Sequence, residues 1–450
     1  MRSSTVGTLL AATCCLADKY AVLVAGSKGY ANYRHQADIA HAYKILTDGG
    51  FKPENIITMM ANDIASSPRN PFRGQLFNRP DSGGTPAVDV YAAVKDHIDY
   101  EHHHVTATNF VKVLTGDTSA PGPVLKSGEE DEVFVYFADH GGVGLIAFPA
   151  ILPGLFNTLA ADTLNDALKT MSKKKMFKKL VFYMEACESG SMFDGLLDPA
   201  LGVYAVTAAN AHESSWGWYC SGSDMGGNIV HGTELGVCLG DLFSINWMEN
   251  TDATDAAKET LSQQFVIVQN ATFKSHVQHF GNLSYINAPI ATFLGVRANR
   301  TTTTTATSGV RAVPNPADGV DSRDAMLHYL RWRVAQVESE VKDATNDELV
   351  KAMRELAAEE ASRRAAAALF AGAWRRLTGS DERDLLTTYR PPRLFDCHRA
   401  VQEGAHLAYT DYSLKFHRVV VNLCEMGYDA KRIIAAFAAE RESRLVEGPA

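Results

Sequence analysis

"KKLVFYMEACESGSMF" (residues 178–193) opens with two lysines, runs through an unbroken apolar and aromatic stretch, and ends in Glu185-Ala186-Cys187-Glu188. A short continuous apolar run of this kind reads as a strand buried on both faces, as in a parallel sheet covered by helices. Its end poses a chemical problem, because one thiol stands between two carboxylates. Negative neighbours raise a thiol's pKa and deplete the thiolate that attacks. Either Cys187 is an inert core thiol, or the glutamates have a separate task.

Working outward, the same pattern recurs. "YAVLVAG" (20–26), "NIITMM" (55–60), "DEVFVYFAD" (131–139) and "GVYAVTAAN" (202–210) are further strand candidates, separated by helix-like stretches at 35–49, 105–115 and 162–177. Strands alternating with helices predict an α/β fold, a mostly parallel sheet flanked by helices. In such sheets ligands bind beyond the carboxyl ends of the strands. After Gly295 the composition changes: "RTTTTTATSGVRAVPNPADG" (300–319) lacks hydrophobic periodicity and reads as an exposed linker, and long helical patterns follow, giving an all-helical C-terminal unit.

The chain has 450 residues, more than one hydrophobic core usually supports, with 46% apolar and 21% charged residues. Its net charge of −9 excludes the basic footprint of a nucleic-acid binder. Arg2 followed by "VGTLLAATCCLA" (6–17) reads as a secretory signal cleaved after Ala17, and no later apolar run is long enough to span a bilayer. Removing that segment takes Cys14 and Cys15 with it and leaves Cys187, Cys220, Cys238, Cys397 and Cys424, an odd number that allows two disulfides and one free thiol. Asn270, Asn282 and Asn299 begin Asn-x-Ser/Thr sequons, which are glycosylation sites in the secretory pathway. No Cys/His cluster has zinc spacing, and neither metal nor cofactor is expected.

Two predicted strands deliver reactive side chains. "VFVYFADHGG" ends in Asp139-His140-Gly141-Gly142, and "LVFYMEACESGS" delivers Cys187, so a thiol and an imidazole at neighbouring strand ends could form a nucleophilic pair. The glycines would let backbone N–H groups face a developing oxyanion. Against this stands the bland alternative of a packed cysteine and a hydrogen-bonded histidine.

Five stretches shift that balance: "AGSKGYANYRHQADIAHAY", "YFADHGG", "VFYMEACESGSMF", "TAANAHESSWGWYC" and "CLGDLFSINWMEN". Together, and in this order, they resemble the legumain family of asparaginyl endopeptidases, caspase-like cysteine peptidases. The helical tail resembles that family's inhibitory C-terminal prodomain. The resemblance implies a caspase-like catalytic domain over 18–298 after the signal (1–17), a linker or activation peptide over 299–346, and a helical prodomain over 347–450. It implies Cys187 as nucleophile, His140 as general base and acid, Asn32 orienting the histidine, and the N–H groups of Gly141 and Cys187 as the oxyanion hole. Asp139 matches an aspartate that can cyclise to a succinimide, an accessory to ligation.

The same resemblance makes Arg34, Glu185 and Asp241, with His35 and Ser215 adjoining, the walls of a pocket for the residue before the cut bond, called P1. An asparagine carboxamide needs a donor for its oxygen and acceptors for its N–H groups, which a guanidinium and carboxylates supply. On a strand, Glu185 and Cys187 share one face, so the carboxylate can read the side chain whose bond the thiol cuts; Glu188 is left without a role. By resemblance, Cys220–Cys238 and Cys397–Cys424 are disulfides and Cys187 is free. Self-cleavage in acid at Asn346 would release the prodomain, driven by protonation of interface carboxylates. The implied partners are peptides and proteins with P1 Asn, the chain's own prodomain as inhibitor, and cystatin-type inhibitors. The implied location is a lysosome- or vacuole-like acidic compartment, or secretion. Rival readings are a peptide asparaginyl ligase on the same scaffold, a GPI-anchor transamidase subunit, and an inactive binding protein.

Overall fold

The computed structural model describes residues 17–149, 157–222, 227–297, 319–340, 347–380, 382–407 and 409–447. Six strands form the central sheet: β1 (Lys19–Ala25), β2 (Ile56–Met59), β3 (Glu132–Ala138), β4 (Lys179–Glu185), β5 (Val203–Thr207) and β6 (Gln278–Gly281), in the order β6-β5-β4-β3-β1-β2. All neighbours are parallel except β6, which runs antiparallel to β5 at the edge. Successive side chains on each strand feed opposite cores. Leu23, Tyr136 and Tyr183 point into one, while Val22, Val24, Val135, Phe137 and Phe182 point into the other.

The first core is closed by α1 (Tyr33–Asp48), α4 (Leu242–Ala253) and α5 (Leu261–Ala271), and the second by α2 (Ala107–Thr115) and α3 (Ala161–Lys173). Helix starts are set locally: Thr106 accepts the Asn109 N–H at 3.0 Å, and Thr260 with Gln263 forms a capping box. This is the α/β sheet expected from the alternating runs.

Part of the stretch read as linker is regular. Val320–Asp321 is a short strand and α6 (Ala325–Glu340) follows it. Beyond lie α7 (Asp347–Thr378), α8 (Phe395–Gly404), α9 (His417–Glu425) and α10 (Ala430–Glu447), which share a separate core including Phe370, Trp374, Val401, Val420, Leu423 and Phe437. Disulfides join Cys220 to Cys238 and Cys397 to Cys424, and Cys187 is a free, buried thiol. Among the described residues no helix is long and apolar enough to cross a membrane. The signal segment up to residue 16, the sequon Asn299 and Asn346 lie outside the described residues.

Candidate active site

β3 and β4 run in register with Ala138 opposite Glu185, so Asp139-His140 and Ala186-Cys187 leave the sheet side by side. The Asp139 N–H donates to the Glu185 carbonyl at 3.0 Å. A Cβ on Gly141 would stand 2.3 Å from the Cys187 carbonyl oxygen, so the two turns can press together only because that residue is glycine. Asn32, Arg34 and His35 come from the turn between β1 and α1, where the strand order reverses.

The Cys187 thiol is fully buried. Its Sγ receives the Ser215 N–H at 3.3 Å and lies 3.6 Å from the Ser215 hydroxyl. Burial pushes the thiol up to about 12, against the pull of the Arg323 guanidinium. His140 Nε2 lies 2.9 Å from Asn32 Oδ1 and 3.4 Å from Asp411 Oδ2, whereas its Nδ1 is buried without a partner among the described residues. Burial works against the imidazolium, but Asp411 outweighs it and holds His140 above the usual histidine range. No hydrogen bond among the described residues joins Cys187 to His140.

The expected pocket residues converge. Arg34, with no exposed surface, donates from Nε to Asp241 Oδ1 at 2.9 Å and from Nη1 to Asn32 Oδ1 at 3.3 Å. His35 Nδ1 is 2.6 Å from the Ser27 hydroxyl and 3.3 Å from Asp139, and burial keeps the ring neutral. Glu185 Oε2 accepts the Ser244 N–H at 3.0 Å and its hydroxyl at 2.9 Å, and burial raises Glu185 well above the carboxylate range. Burial also pushes Asp139 up to about 8. Glu185 Oε1, Asp241 Oδ2 and His35 Nε2 remain buried without hydrogen-bond partners among the described residues. Buried polar atoms left in this state cost stability, so a cluster of them beside a guanidinium is the mark of a site built for a polar ligand.

A strand from the C-terminal region fills this site. Val320 and Asp321 pair antiparallel with Gly217 and Trp216, and the Ser322 N–H donates to the Ser215 carbonyl at 3.1 Å. Arg34 Nη2 donates to the Ser322 hydroxyl at 2.7 Å and to its carbonyl at 3.3 Å. Arg323 then turns beside the thiol, pairing with Glu188 and donating to Ser214 Oγ at 2.8 Å. Glu188, without a role in the sequence, is fully buried between Arg323 and Arg418, whose Nη2 is 3.1 Å from its Oε1. Asp411, Ser322, Arg323 and Arg418 were invisible to sequence reasoning: each is an ordinary polar residue, far along the chain, whose position only docking defines. Of the sequons within the described residues, Asn270 is exposed and Asn282 half-buried.

Residues 19–296 match the sequence model of the Peptidase C13 family. The chain belongs to the Peptidase C13 family. It is a cysteine-type endopeptidase. It is 38% identical to the vacuolar-processing enzyme delta-isozyme of Arabidopsis thaliana, over 93% of this chain and 89% of that protein. It is 37% identical to legumain of Mus musculus, over 92% and 90%. Both alignments run through the helical tail as well as the sheet, so the peptidase match and the C-terminal unit occur together in these relatives.

Proposed function

We propose that this C13 peptidase cuts peptide bonds after asparagine, with Cys187 as nucleophile and His140 as proton carrier, and that it is held latent by its own C-terminal region until acid releases it. The observation that carries the specificity is the set of unpartnered buried atoms around Arg34: Glu185 Oε1 and Asp241 Oδ2. Arg34 Nη2, which donates to Ser322 here, would donate to the carboxamide oxygen of the P1 residue, and the orphan oxygens would accept from its amide. An apolar P1 side chain would leave all of them unpaired, which sites of this kind reject strongly. An aspartate would bury a further negative charge beside the Asp241 carboxylate, which already neutralises Arg34, so it needs a proton of its own, which acid supplies.

Chemistry requires two changes from the latent state. The thiol must lose its burial, which holds it protonated, and the imidazole must lose Asp411, which favours its cationic form. Displacing the Val320–Arg323 segment opens the thiol to substrate, and removing the helical unit takes Asp411 away and returns His140 to a neutral base. Asn32 keeps Nε2 anchored, so Nδ1 is the atom left to take the thiol proton. Attack forms a thioester through an oxyanion facing the Gly141 and Cys187 N–H groups, the amine leaves with the proton, and water completes the cycle.

Latency by strand addition is supported by Val320–Asp321, which occupies the sheet edge that a peptide would use. The name of the Arabidopsis thaliana relative, a vacuolar-processing enzyme, supports a vacuole-like acidic compartment for the chain. The test is to bring the full chain to about pH 4.5 and follow its mass and its cleavage of Ala-Ala-Asn, Ala-Ala-Asp and Ala-Ala-Leu reporters, with Cys187→Ser as control. Once the acid step has released the tail, cleavage after Asn at both about pH 7 and pH 4.5, after Asp only in acid and after Leu at neither, is the expected result. Equal rates on Asn and Leu would refute the pocket.

A further inference from the structure

Asp38 stands one helical turn after Arg34 on α1, so both project from the same face of the helix toward the pocket. The side chain has no exposed surface. Its Oδ1 accepts the Asn78 Nδ2–H at 2.7 Å, and its Oδ2 accepts the backbone N–H of Asp241 at 3.2 Å. The carboxyl groups of Asp38 and Asp241 are also within hydrogen-bonding reach of each other, a contact that exists as a bond only if one of them carries a proton.

The surroundings decide which one. Asp241 has a cation, the Arg34 guanidinium at 2.9 Å, a second positive charge on His140 beyond it, and the neutral His35 ring at 3.5 Å. Asp38 pairs with no cation among the described residues. The ionisable groups facing it are Asp241 at the start of α4, Glu185 from the end of β4 and the Tyr136 phenol from β3. Asn78, the remaining polar contact, is neutral and is itself held by the His41 ring at 2.8 Å. A wholly buried carboxylate with only acidic neighbours is the one that stays protonated.

We propose that Asp38 is a specificity-determining residue that acts through Asp241: it keeps a proton at neutral pH, donates it to the Asp241 carboxylate, and thereby holds Asp241 ionised and oriented as the acceptor for the P1 amide. This rests on the pocket reading above. Asp38 is a positioning residue, since Asp241 stands between it and the substrate. The direction of its titration agrees, with burial first and the Asp241 charge second lifting Asp38 well above the carboxylate range. The consequence is that Asp38 adds no negative charge to the pocket, and its proton sits out of the substrate's sight.

Two variants separate this role from simple packing. Asp38→Asn is neutral at every pH and keeps a donor for Asp241, so it imitates the protonated acid; Asp38→Ala removes the donor. On the acid-treated full chain, Asp38→Asn should keep KM for the Asn reporter within about twofold and leave the pH dependence of the Asp-to-Asn rate ratio where it was. Asp38→Ala should raise KM about tenfold with kcat little changed, the loss expected for one charge-assisted hydrogen bond. Independently of activity, the infrared difference spectrum of the wild-type full chain minus Asp38→Asn at about pH 7 should contain the C=O band of one protonated carboxylic acid. Absence of that band, or a rise in the neutral-pH Asp-to-Asn ratio in Asp38→Asn, would show that Asp38 is ionised and overturn the proposal. So would Asp38→Ala with an unchanged KM. Should Asp38→Ala not fold, the infrared band and the Asp38→Asn ratio decide alone. If the wild type fails to cut after Asn, the pocket reading falls by itself, and the infrared arm still reports where the proton is.

Discussion

Replacing Arg418 by methionine removes one of the two guanidiniums around Glu188 while keeping most of the side-chain volume. Glu188 is fully buried, and Arg418 Nη2 lies 3.1 Å from its Oε1 and 2.6 Å from the His212 carbonyl. Stripping one partner from a buried ion pair costs about 3–5 kcal/mol. Arg323 still neutralises Glu188 from the other side, so the lower end, about 3 kcal/mol, is the appropriate figure. Both contacts cross from α9 to the catalytic unit, so their loss falls on docking and weakens it by about a hundredfold, while the bond from Arg418 to the Leu386 carbonyl is lost within the helical unit itself. The full-length Arg418→Met chain at about pH 7 should therefore turn over the Asn reporter up to a hundredfold faster than the latent wild type before any change in mass. In a Cys187→Ser background the same substitution should speed amide hydrogen exchange in α9 by a similar factor, which excludes self-cleavage as the cause. Unchanged reporter rate and unchanged exchange would refute the idea that Glu188 holds the helical unit in place.

Ser322→Asn should convert the blocking strand into a substrate, because the longer amide reaches the acceptors that serine leaves unpaired; a new chain break after residue 322 by mass spectrometry is the sign, and an intact segment in active enzyme would count against substrate-like binding. Asp411→Asn should lower the His140 pKa, seen as a shift of the imidazole NMR titration of the latent chain to lower pH, because the carboxylate that favours the cation is gone. Acid release itself should depend on His398 and His417, which line a cavity between α8, α9 and the segment at Gly144 and Leu145. Burial lowers both, His417 to about 3 and His398 to about 4 despite Glu425 at 3.2 Å. The sign follows: released histidines take up protons below about pH 6.5 and docked ones do not, so falling pH favours release. The double variant His398→Gln/His417→Gln should need a lower pH for the same rate of activation, and an unmoved threshold would locate the trigger elsewhere.

The sheet was legible wherever burial forces an apolar run. β1 through β5 were found because each feeds two cores, whereas β6 was missed: Gln278–Gly281 is a half-buried edge strand whose polar residues give no such run. Cys187 and His140 were legible as a candidate pair because both follow buried strands, whereas Arg34, His35, Ser215 and Asp241 were reached only through the family resemblance, since nothing in their local sequence marks a pocket. The docking contacts were not legible, since nothing local distinguishes Asp411 or Arg418 from other surface charges. Among the interface carboxylates, Asp411 faces the imidazolium of His140 and is held well below the carboxylate range, so it takes up its proton only in strong acid, and the buried histidines add proton-binding sites in milder acid.

The Cys397–Cys424 bridge ties α8 to α9. His398, His417 and Arg418 therefore ride on one cross-linked body and leave the catalytic unit together or not at all. Protons taken up at separate sites then add their free energies to a single event, and the midpoint steepens with each one. Latency should end over a narrow band of acidity, and reducing this one bridge should blunt that response into a gradual one without moving a single catalytic group.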